Sequence, residues 1–189
     1  IHGMKDQVMP VDLSRSIARE LDELGYAYVY REHEREHPVA GGHYFPKEEV
    51  PDLVAWFDSQ HREPLPTRLT VVRDGSHFQP FNWVRLDSTD PIAAFSDDLV
   101  DKRDERIKRR VYAKLDASIR EGNRIEVQTH HVRRYSLFLN GSLIDPAKPL
   151  TVVTNGQVSF ERTVTPSLET LLRQARLRQD PQRLFPIHL

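Results

Sequence analysis

Ile1-His2-Gly3-Met4-Lys5-Asp6-Gln7-Val8-Met9-Pro10-Val11 opens the chain, and its reading decides the fold expected for the first third of the protein. Ile1-His2-Gly3 reads as the end of a strand entering a turn. Leu13, Ile17, Leu21 and Leu24 then recur at spacings of four, four and three, which makes one apolar stripe on a helix. Pro10 and Asp12 supply the start of that helix and Gly25 its stop. Tyr26-Ala27-Tyr28-Val29-Tyr30 is an aromatic and β-branched run, expected to form a buried strand. A polar loop from Arg31 to Pro46 contains the Gly41-Gly42 pair. A second helix is expected from about Lys47 to His61, with Val50, Leu53, Val54 and Phe57 on one face and Pro51 tolerated in its first turn. Strand, helix, strand is the parallel βαβ unit. Such units carry their chemistry on loops beyond the carboxyl ends of the strands, here Gly3–Pro10 and Arg31–Pro46.

Beyond Arg62-Glu63-Pro64-Leu65-Pro66, which reads as a linker, the composition changes. Residues 69–72, 81–86, 124–129, 135–139, 150–153 and 158–160 read as short strands. Asn140-Gly141 and Asn155-Gly156 are hairpin signals, because both dipeptides accept the positive φ of a two-residue turn. Asp101–Ala117 mixes helical charge spacing with partial alternation of Ile107, Val111, Ala113 and Leu115. A final helix near Ser167–Arg178 places Leu168, Leu171, Leu172 and Ala175 on one face. The expected organisation is residues 1–61, 62–66 and 67–189: α/β segment, linker, and a β-rich, sandwich-like domain ending in a helix.

His2-Gly3-Met4-Lys5-Asp6-Gln7-Val8-Met9-Pro10-Val11 resembles the HG-x-x-D-x-x-V-P turn of α/β-hydrolase enzymes, which comes after their penultimate strand. The later stretches 123–127, 137–140, 153–156 and 180–185 resemble bacterial phospholipase/carboxylesterase-like and prolyl-oligopeptidase-like hydrolases with a β-rich C-terminal extension. The resemblance implies the C-terminal βαβ portion of an α/β-hydrolase sheet. It implies that Asp6 is the acid of a Ser-His-Asp triad, and that His43, after Gly41-Gly42, is its histidine. His37 is a rival in the same loop; His43 is preferred because the glycines before it let the backbone turn sharply.

A histidine that takes a serine proton must hold one tautomer and be stabilised when charged, and a carboxylate on its other ring nitrogen does both. The order Ser, Asp, His is that of α/β-hydrolases, and Asp6 before His43 is its second half. No Gly-x-Ser-x-Gly occurs in the sequence. The nucleophile and oxyanion hole are therefore expected in an upstream half of the same hydrolase, acting on a small-molecule carboxylic ester, and this chain alone is expected to be inactive. Ile1 in place of an initiator methionine fits that expectation.

Charge and composition narrow the alternatives. The chain of 189 residues carries 27 Lys and Arg against 28 Asp and Glu, a balance that argues against a nucleic-acid footprint. No apolar run is long enough for a membrane span. With no cysteine, thiolate metal sites and a Cys nucleophile are excluded. Neither a metal nor a cofactor is expected. His33-Glu34-Arg35-Glu36-His37 matches H-E-x-x-H, but zinc proteolysis needs both histidines on one helical turn. The β-type run before the motif and Pro38 after it oppose a helix. A second reading from another class makes the β-rich part a carbohydrate- or protein-binding module; no aromatic stripe marks a sugar face, and Trp56 and Trp83 are expected to be packing residues.

Overall fold

Eight of the ten strands among the described residues lie after residue 62. The computed structural model describes residues 1–23, 25–75, 79–93 and 103–189. The chain divides into two units, Ile1–Arg62 and Glu63–Leu189.

The first unit contains strand β1 (His2–Gly3), helix α1 (Val11–Glu23), strand β2 (Glu32–His33), a 3-10 turn (Lys47–Glu49) and helix α2 (Val50–Ser59). β1 and β2 pair in parallel, His2 with Glu32 and Gly3 with His33. The expected α/β-hydrolase sheet is not what forms. Each strand is only two residues long, and the run expected to be a buried strand, Tyr26–Tyr30, pairs with nothing. Tyr26 and Val29 stay outside, 62% and 59% exposed, while Tyr28 and Tyr30 are only half-buried. A parallel strand needs a ladder on its edges and cover on both faces, and this run has neither. Tyr28 and Tyr30 instead use their hydroxyls, donating to Ala18 O at 3.0 Å and to Glu32 Oε1 at 2.9 Å. The guanidinium of Arg15 donates to both carboxylate oxygens of Glu32, at 2.8 and 2.7 Å, which ties α1 to β2. Neither α1 nor α2 contains a buried residue. Leu13 and Ile17 of the predicted stripe are exposed, and Leu24 lies outside the described residues. Trp56, expected in packing, is 41% exposed and meets the edge of Phe57.

The second unit is β-rich. Strands β3 (Arg68–Arg73), β5 (Ala113–Arg120), β6 (Arg124–His130), β8 (Leu150–Thr154) and β9 (Gln157–Arg162) form a five-stranded sheet in the order β3-β5-β6-β8-β9. Strands β4 (Val84–Thr89), β7 (Val132–Leu139) and β10 (Ile187–His188) form a three-stranded sheet in the order β10-β7-β4. Alternation decides which face is buried: Leu69 and Val71 of β3, Leu115 and Ala117 of β5, and Ile125 and Val127 of β6 all point inward. They join Val84, Leu86, Leu137 and Leu139 of the smaller sheet in one core cluster. β6 and β8 are parallel because the chain leaves for β7 in the other sheet before it returns. Trp83 is fully buried, and its indole N–H donates to Pro66 O at 2.7 Å.

Asn155-Gly156 forms the two-residue turn between β8 and β9, with φ of 50° and 82°. Asn140-Gly141 does not join a hairpin. β7 and β8 belong to different sheets, and Asn140 O accepts the N–H groups of Leu143 and Ile144, both at 3.1 Å, to close a local turn. The ambiguous stretch around 101–117 divides into helix α3 (Arg103–Lys108) and the start of β5; Asp101 and Lys102 lie outside the described residues.

Helix α4 (Leu168–Arg178) is capped by Ser167, whose hydroxyl accepts from Thr170 N–H at 3.3 Å. Its expected apolar face is only partly inward, because Leu168 and Leu172 are exposed. Gln174 is the buried residue instead. Arg178 donates to Gln174 Oε1 at 3.0 Å while its guanidinium lies 5.0 Å from the Phe138 ring centroid and 4.7 Å from that of Phe185. The expected ending on a helix is also corrected: β10 comes after α4 and pairs antiparallel with β7, Ile187 with Leu139.

Candidate functional site

The turn after β1 and the loop after β2 meet, as parallel neighbours require. Asp6 N–H donates to Gly3 O at 3.1 Å. The Asp6 carboxylate then folds over its own turn, Oδ1 accepting from Val8 N–H at 2.9 Å and Met9 N–H at 2.8 Å. This is the Asx geometry a short acidic side chain offers a turn. The other oxygen, Oδ2, faces His43 Nδ1 at 2.9 Å.

The loop that carries His43 is braced. His37 and Gly41 exchange backbone hydrogen bonds at 2.7 and 2.9 Å. Gly41 sits at φ 56°, in the left-handed region that glycine enters at no steric cost. Gly42 is buried, and a Cβ there would overlap Asp6 N and Lys5 C. Gly3 is equally tight, since its Cβ would overlap Gly42 O. Two bare backbones thus touch, and the next residue, His43, reaches across to Asp6.

The Asp6 side chain is only 6% exposed and that of His43 52% exposed. The Asp6 carboxyl is held down from 3.8 to about 2, first by the Met9 N–H and further by the His43 and Val8 hydrogen bonds, against the opposing effect of burial. An ionised carboxylate only accepts, so His43 Nδ1 carries the proton. In the neutral ring Nε2 is then the unprotonated nitrogen. It has no hydrogen-bond partner among the described residues, and the side chain is half exposed.

The structure therefore brings Asp6 and His43 together across 37 positions of sequence. The rival His37 is otherwise engaged: its Nδ1 accepts from Val39 and Ala40 N–H at 3.2 and 3.3 Å. The H-E-x-x-H spacing does not lie on a helix. His33 is the end of β2, buried edge-on against Tyr44 with ring centroids 5.4 Å apart, while His37 is in the loop. Among the described residues no group of three His, Cys, Asp or Glu side chains is placed to hold a metal ion. No described helix is long and apolar enough to cross a membrane.

One participant escaped the sequence reading. His2 lies under Asp6, with Nε2 2.7 Å from Met9 O and 3.5 Å from Asp6 Oδ2, and with Nδ1 2.6 Å from Ser14 Oγ. The His-Gly pair drew attention to the turn, but no spacing rule links position 2 to position 14 across a turn of irregular backbone. Comparison with known proteins returns no matching family model, no matching curated protein and no matching solved structure.

Proposed function

We propose that Asp6 and His43 are the acid and base of a Ser-His-Asp site that hydrolyses carboxylic esters, with the serine supplied by polypeptide outside these residues. The observation that carries this reading is the 2.9 Å hydrogen bond from His43 Nδ1 to an ionised carboxylate whose other oxygen is held by two backbone N–H groups, with Nε2 left open. Asp6 selects the tautomer and stabilises the imidazolium formed when Nε2 takes the serine proton. The base later returns that proton to the leaving alkoxide. A covalent nucleophile and two donors for the developing oxyanion complete such a site. The partner that supplies them is the upstream half of the same hydrolase. Support for such a partner comes from α1 and α2, which bury none of their residues and expose Leu13, Ile17, Val54 and Phe57.

The test is fluorophosphonate labelling of the protein isolated from its source, with intact-mass analysis of every polypeptide present. A labelled serine whose reaction is lost in Asp6→Asn and His43→Ala supports the reading. Labelling that proceeds at the wild-type rate in both variants, or no labelling at all, overturns it.

A further inference from the structure

We infer that His2 is a positioning residue: its imidazole clamps the Asp6–Met9 turn to helix α1 and so fixes which carboxylate oxygen meets His43. The inference rests on the reading of Asp6 and His43 as the acid–base pair. The Met9 carbonyl can only accept, so His2 Nε2 carries a proton and donates to it at 2.7 Å. In the neutral ring Nδ1 is then an acceptor, and the Ser14 hydroxyl in the first turns of α1 donates to it at 2.6 Å. His2 is thus held from two sides, and its side chain is only 13% exposed.

Met9 is the middle of the chain of contacts. Its carbonyl is held by His2 and its N–H by Asp6 Oδ1, the latter at 2.8 Å. That N–H bond is the largest influence on the Asp6 carboxyl. With Oδ1 pinned to the turn, Oδ2 is the only oxygen left to face His43. The His2 Nε2–H edge, 3.5 Å from Oδ2, adds a second positive edge beside the same oxygen. Without the imidazole, the Met9 carbonyl and the Ser14 hydroxyl turn to water and the turn is tied to α1 only through the chain. The carboxylate then rotates and its bond to His43 is lost. His2 touches no reacting atom in this scheme; it acts through Asp6.

The experiment is a 13C and 15N NMR titration of the 189-residue chain, tracking the Asp6 carboxyl carbon and the His43 Nδ1–H proton. It compares wild type with His2→Ala, His2→Gln and Ser14→Ala. In wild type Asp6 titrates at about 2 and the Nδ1–H proton is seen. In His2→Ala the Asp6 titration rises from about 2 toward 3.8 and the Nδ1–H resonance disappears. In His2→Gln, whose amide N–H reaches the position of Nε2 and donates to Met9 O, both return toward wild type. A purely space-filling role would leave Gln no better than Ala.

Unchanged Asp6 and His43 signals in His2→Ala overturn the inference, as does a folded His2→Gln that behaves like the Ala variant. Should His2→Ala not fold, Ser14→Ala decides: a smaller movement of Asp6 in the same direction supports the clamp, and none overturns it. These readouts need no turnover. Absent fluorophosphonate labelling with a responsive titration overturns the hydrolase reading alone; labelling with an unresponsive titration overturns the clamp alone.

Discussion

Gly42 lies against the backbone of Asp6 with no room for a side chain between them, since a Cβ on Gly42 would overlap Asp6 N. The 2.9 Å bond between Asp6 and His43 depends on this approach, because His43 is the next residue along. Gly42→Ala is expected to push the loop off the turn. Overpacking of this kind costs about 1–3 kcal/mol. Urea unfolding of the variant should show that loss, and the His43 Nδ1–H resonance should vanish from its NMR spectrum while it is still folded. Retention of both would mean that the bond between Asp6 and His43 does not depend on the close approach of the two loops.

Asp6→Asn keeps the size of the side chain and removes the charge that stabilises an imidazolium. Where a triad operates, such a change lowers kcat by about 10⁴-fold. With the proposed serine-bearing partner present, ester turnover should fall on that scale, while KM should stay close to wild type because Asp6 does not touch substrate. A loss confined to KM would place Asp6 in binding.

Acid should weaken the first unit in a defined window. Asp6 and Glu32 are both held at about 2, the former chiefly by Met9 N–H and the latter chiefly by Arg15. In the unfolded chain they take up protons near 3.8 and 4.5. Their folded values are depressed, so the stability they contribute is complete above the unfolded values and is lost as pH falls through the folded ones. Amide exchange or urea midpoints reporting on residues 1–62 should therefore decline between about pH 5 and about pH 2. In Asp6→Asn and Glu32→Gln the decline should be shallower.

Trp83 is fully buried and donates its indole N–H to Pro66 O at 2.7 Å. Trp83→Phe keeps most of the packing and leaves that carbonyl without its donor, a loss of about 1 kcal/mol. Trp83→Ala also opens a cavity and should cost about 3–5 kcal/mol. Circular dichroism during urea unfolding would measure both. Equal effects would show that the hydrogen bond, and not the ring, holds residues 64–66 in place.

Local chemistry was legible where it needs no distant partner. Asn155-Gly156 signals a two-residue turn because both positions take positive φ. The alternating residues of β3, β5 and β6 reveal their inner faces because the strand repeat is two. The HG-x-x-D spacing marked Asp6, and the double glycine marked the loop of His43. Tyr26–Tyr30 shows the limit of such signals. Aromatic and β-branched residues favour a strand only when a ladder and cover are present, and neither is provided for that run.

By itself, then, the sequence determined which segments alternate, where several turns fall, and which acid and which histidine were worth comparing. Tertiary structure alone decided that Tyr26–Tyr30 joins no sheet and that Asn140-Gly141 follows a strand without pairing it to the next. It decided that Gln174 and not Leu172 faces inward on α4, and that His2 lies beneath the carboxylate of Asp6. The physical reason is range. Periodicity and turn chemistry act over a few residues, whereas pairing, burial and the placement of a polar side chain depend on backbone brought together from positions far apart along the chain.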